Sequence, residues 1–143
     1  MKTIKYLAMV ALVALMGVTM TSCGGYSNGK AKDMIVKNND GKLEEADYAT
    51  MIEWIQDAND KYNDEWESII EDNKDDYQQY EFALTEMAVD FAGDYTFIGE
   101  ISSIVSRADE KKMGKENKEK WDSYQAKLLD RKQALQKKEP TKK

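Results

Sequence analysis

In two runs between Tyr48 and Val105, apolar and aromatic residues return at every third or fourth position. The first run is Tyr48, Ile52, Ile55, Asn59, Tyr62, Trp66 and Ile69, with Asn59 its one polar member. The second is Tyr77, Tyr80, Leu84, Met87, Phe91, Tyr95, Ile98, Ile101 and Val105. That interval marks one face of an α-helix, which turns once in about 3.6 residues. It does not suit a strand, whose side chains alternate between faces. The single proline, Pro140, leaves nothing of its kind to break a helix earlier in the chain. An all-α fold is expected.

The ends of these segments carry their own signals. Glu44, Glu45 and Asp47 sit where a helix dipole favours negative charge, with Asp40 or Gly41 as the cap region. Asn73-Lys74-Asp75 is the expected turn between the first two helices, with Asp75 capping and Gln78 three residues on. The apolar phase also runs through Asn73, Asp76, Tyr80, Ala83 and Met87. One helix continuing to about Ala92 and broken at Gly93-Asp94 is therefore the alternative. A charged stretch around Gly114, from Asp109 to Asn117, reads as a loop. After it, Trp121, Tyr124, Leu128 and Leu135 form a thinner stripe, with Arg131 in the remaining slot. Glu116 and Lys120 make a favourable i,i+4 pair. Three amphipathic segments with short connections predict an antiparallel three-helix bundle or an extended helical hairpin over residues 43–137, followed by a basic tail, 138–143.

Residues 23–42 read differently. Gly, Ser and Asn recur from Gly24 to Gly41, and such residues favour turns over a packed core. A flexible tether is expected there, with an r.m.s. span of about 24 Å. Asn38-x-Asp40-Gly41 has the look of a calcium loop only until its first ligand position, which is Val36 and cannot coordinate.

Charge is unevenly spread. Residues 43–100 hold 18 acidic and 2 basic side chains, whereas residues 101–143 hold 7 acidic and 13 basic. So acidic a body is a poor match for nucleic acid, which rewards a basic face. A basic last helix lying against acidic ones explains the split. The alternative is that Lys137, Lys138, Lys142 and Lys143 touch an anionic surface.

The start of the chain has a third character. Lys2 and Lys5 precede an uncharged run from Leu7 to Val18, too short to span a bilayer comfortably, which takes about 20 residues. Met20-Thr21-Ser22-Cys23 then follows: an apolar residue, two small ones and a cysteine. This order resembles the signal and lipobox of bacterial lipoproteins, over residues 1–23 alone. The resemblance implies that residues 1–22 are removed and that the Cys23 thiol carries a diacylglycerol. Gly24 is not the Asp that keeps some lipoproteins at the inner membrane, so the implied address is the outer membrane, on its periplasmic face. Cys23 is also the sole cysteine, and acylation accounts for a thiol with no intrachain partner.

Much chemistry is excluded by composition. The sequence has no histidine, which removes His-based triads and His-ligated metals. It has no Gly-rich phosphate loop and no nucleophile elbow. Carboxylates remain: Glu86, Asp90 and Asp94, at i, i+4 and i+8, form a row that could hold a divalent cation, or simply an acidic solvated face. No catalytic activity and no cofactor are expected.

Aromatic residues are numerous for a slim helical domain. They line a core, or they serve as anchors for a partner. Trp54, which falls off the main stripe of its helix, and Trp66 and Tyr80 are the candidate partner-binding residues. The expected role is a lipid-anchored, non-catalytic interaction module that meets the membrane through Cys23 and binds another envelope protein. The alternatives are a small-ligand or divalent-cation-binding lipoprotein, and a structural tether to the cell wall. For the last, only the terminal Lys143 carries a likeness to lipoproteins of the Braun type.

Overall fold

Tyr48 to Ile69 lies within one uninterrupted helix, and the rest of the molecule is arranged along it. The computed structural model describes residues 25–143. The expected signal segment, 1–22, and Cys23 lie outside the described residues. Six helices and no strands occur among them: α1 (Asn28–Asn39), α2 (Glu45–Asp72), α3 (Tyr77–Asp94), α4 (Ile98–Arg107), α5 (Glu110–Met113) and α6 (Lys115–Gln136). The all-α expectation holds, with six helices in place of three.

α2 has 28 residues, which makes it about 42 Å long. It packs against α3, α4, α5 and α6, while α1 packs on α4 and α5 on α6. Its two halves face different neighbours. Met51, Ile52 and Ile55 meet Ala31 of α1, Ile101 and Val105 of α4, Met113 of α5 and Trp121 of α6. Further along, Trp66 and Ile70 meet Tyr80 and Met87 of α3 and Leu135 of α6. Met51, Ile101, Val105 and Met113 are fully enclosed. Each such side chain contributes roughly 1.5–3 kcal/mol relative to exposure in water.

Between the two clusters α2 is polar. Asn59 turns its amide back to the Ile55 carbonyl at 2.9 Å. Asn63 is fully buried, and neither atom of its amide has a hydrogen-bond partner among the described residues. Burial raises the Asp60 carboxyl above the usual carboxylate range, against the pull of Arg131. Burial, followed by the charge of Asp60, raises the Tyr124 phenol.

The tether expected over 23–42 is overturned for residues 28–39. Ser27 caps α1 by accepting from the Lys30 amide at 3.1 Å. Ala31 is completely covered, and Met34 and Ile35 pack against the core. Two residues past the end of the helix, Gly41 has a φ of +68° that suits a glycine and lets the Lys42 amide reach the Lys37 carbonyl at 3.0 Å. The glycines and asparagines that suggested a linker lie mostly at the two ends of this helix.

Other boundaries move less. Asn73 closes α2, as the expected turn requires, but the cap of α3 is Asp76, not Asp75; it accepts from the Gln79 amide at 3.0 Å. The cap of α2 is Glu44 rather than Asp40 or Gly41, and its amide donates to Asp47 at 2.9 Å. The second apolar run is broken at 95–97 into α3 and α4. Part of the expected loop around Gly114 is helical, as α5, and Gly114 itself has a φ of +86°.

The charge split is partly resolved inside the molecule. Arg131 of α6 pairs with Asp64 of α2, and Lys138 with Glu67 at 3.1 Å. The basic last helix thus lies along the acidic central one, and the tail starts against the body. The expected Glu116–Lys120 pair is present at 3.2 Å.

Candidate functional site

The residues that open the described chain are tied to the corner between α3 and α4. Asn28, the first residue of α1, donates from Nδ2 to the Gly93 carbonyl at 3.0 Å, and its Oδ1 accepts from the Thr96 amide at 3.0 Å. The Tyr26 hydroxyl accepts from the Phe97 amide at 3.0 Å and donates to Asn28 Oδ1 at 2.8 Å. These contacts take up backbone groups freed where the helix breaks, so the break costs less than it would in isolation. The Tyr26 ring also lies 4.9 Å from Tyr95, which stacks on Phe91 at 4.7 Å.

Trp54 sits beneath this corner. It is only 4 % exposed, with the Tyr26 ring edge-on at 5.7 Å. Trp66 is 8 % exposed and Tyr80 3 %, and the Trp66 indole donates to the Tyr80 hydroxyl at 3.0 Å. The three candidate partner-binding residues are therefore corrected to core residues, since side chains so covered offer no face to another protein. For Trp54 part of the cover is the Tyr26 ring, which lies against the indole where a tether would have left it open.

Glu86, Asp90 and Asp94 lie on one exposed side of α3, and Asp94 pairs with Lys61 at 3.7 Å. No group of three or more metal-ligating side chains comes together among the described residues.

An open cleft of about 300 Å³ lies between α1 and α2, lined by Lys30, Asp33, Met34, Lys37, Asp47 and Trp54. The Lys37 ammonium bonds Asp47 at 2.8 Å, and that bond holds it above its ordinary range. The Trp54 indole N–H has no partner among the described residues.

The outer side of α3 has another character. Opposite its core residues run Gln78, Phe82, Thr85, Val89 and Ala92, spaced by four and three, all exposed and all uncharged. Phe82 is 59 % exposed and Val89 67 %. The run continues to Thr96, at the Asn28 contact. No helix among the described residues is long and apolar enough to cross a membrane.

Sequence reasoning missed α1 and the bare face of α3. Ser27 followed by Ala31 and Met34, spaced by four and three, was the available sign of the first. Phe82 and Val89, seven apart and off the stripe facing α2, was that of the second. Comparisons with protein-family models, curated proteins and solved structures return no match.

Proposed function

We propose that this chain is a lipid-anchored, non-catalytic interaction module of the bacterial cell envelope, held by acylated Cys23 at the periplasmic face of the outer membrane. The observation that carries the reading is the order of features over residues 1–23: two lysines, an uncharged run, two small residues and the chain's one cysteine. The absence of histidine from the sequence supports a role without His-based acid–base or His-metal chemistry. The exposed apolar residues Val36, Phe82, Val89 and Leu129 lie on helices whose other faces are packed, which suits a scaffold for contacts.

Intact mass measurement and labelling with an alkyne fatty acid test the anchor. The mature protein should begin at Cys23, carry acyl mass and lose both label and membrane association in Cys23→Ser. An unmodified thiol would refute the anchor. A photoreactive residue at Leu129, which is 57 % exposed on α6, tests for the partner. One discrete crosslinked envelope protein is expected, and diffuse labelling would count against the module.

A further inference from the structure

We infer that the uncharged outer face of α3 rests on the bilayer that holds the protein's own lipid anchor. The inference depends on the acylation of Cys23 proposed above. Asn28 is five residues beyond Cys23, so the two are separated by at most about 18 Å of extended chain. Asn28 is fixed to Gly93 and Thr96, where the outer face of α3 ends. Lipid attached at Cys23 is thereby held close to that end of the helix. A surface linked so closely needs little affinity of its own, because its encounter with the membrane is intramolecular.

The face suits that occupant. Phe82 and Val89 are the large apolar groups on it, mostly exposed, and no charged residue interrupts the run from Gln78 to Thr96. The opposite side of α3, with Tyr80 and Met87, is buried against α2. Apolar side chains on one face of a helix that lies along a membrane enter the boundary between headgroups and acyl chains. Glu81, Glu86, Asp90 and Asp94 flank the face, and α3 has no basic residue. A second copy is disfavoured as occupant, since two such faces together would set carboxylates against carboxylates. An uncharged headgroup surface carries no such penalty.

The test uses the full-length acylated protein in phosphatidylcholine vesicles. Acylation consumes the one native thiol, so Phe82→Cys, Val89→Cys and Gln133→Cys each accept a single nitroxide. Gln133 is an exposed position on α6. Collisions with oxygen and with a water-soluble nickel complex report immersion. Labels at 82 and 89 should lie about 5–10 Å inside the headgroup boundary while the label at 133 stays in water. If the protein floats with the vesicles but 82 and 89 are as open to nickel as 133, this inference is overturned and the anchor stands. A protein partner as the true occupant gives that same result in pure lipid. Immersion of all three labels also overturns it. If the protein does not float, the anchor and the inference fall together.

Discussion

The indole of Trp66 and the phenol of Tyr80 share a hydrogen bond of 3.0 Å across the turn that joins α2 to α3, with both rings buried. This bond accounts for how two polar tips are accommodated in the smaller of the two apolar clusters. It also fixes the register of α3 on α2, because Tyr80 lies only one turn beyond the Asp76 cap.

Removing both partners should cost less than the two single removals added together. Tyr80→Phe leaves the Trp66 N–H buried without an acceptor, and a loss of about 1–3 kcal/mol in urea unfolding is expected. Trp66→Phe combined with Tyr80→Phe should cost less than the sum of the two single variants, because they share one bond. A Tyr80→Phe protein as stable as the wild type would show that the bond contributes nothing.

Asn63 presents the opposite case, a buried amide with neither atom partnered. Truncating a core residue normally destabilises, yet Asn63→Ala should stabilise by about 1 kcal/mol. It removes an unmet desolvation penalty and improves helix propensity. A fall in melting temperature would contradict this account of the waist of α2.

Asp60 ties stability to pH. Its carboxyl is raised in the folded protein, chiefly by burial, so on acidification the folded state binds this proton before the unfolded state does. Its contribution therefore strengthens as pH falls through the raised value, and levels off below the ordinary value of 3.8. Asp60→Asn should be more stable than the wild type at neutral pH, with a melting temperature higher by on the order of 2 °C. The difference should shrink on acidification. Melting curves of both proteins at matched ionic strength decide it, and a gap that widens toward low pH would exclude this origin.

Gly114 joins α5 to α6 with a φ of +86°, and a Cβ there would come within 2.8 Å of the Glu45 carboxylate. Gly114→Ala should cost about 1–3 kcal/mol through backbone strain and this close approach. Adding Glu45→Ala should return only the share due to the approach, as the strained φ persists. Full recovery in the double variant would show that conformation at Gly114 is immaterial.

The helices around α2 were legible because their buried faces repeat at helical spacing, from Tyr48 to Ile69 and from Tyr77 to Phe91. The turn at Asn73 and the positive φ at Gly114 were marked by residue types that suit them. The break at 95–97 was not legible: the apolar spacing continues through it, and the groups that satisfy its amides, on Tyr26 and Asn28, lie about 70 residues away in sequence. The burial of Trp54 was not legible either, since its local sequence is the same beside a tether as beneath the Tyr26 ring. A chain beginning at Lys42 should therefore uncover Trp54 and shift the tryptophan emission to the red; an unchanged spectrum would mean that residues 25–41 do not cover it.

The bonds from Tyr26 and Asn28 to the corner between α3 and α4 also set an order of events. A polypeptide made from its N-terminus produces α1 long before residues 93–105 exist to receive it. Until then that first helix lacks the α4 surface on which it packs, and these contacts can be completed only late in synthesis. Maturation of this small protein is thereby coupled to the arrival of its distal half. Premature arrest upstream of α4 would leave a fragment that invites aggregation or a holding chaperone.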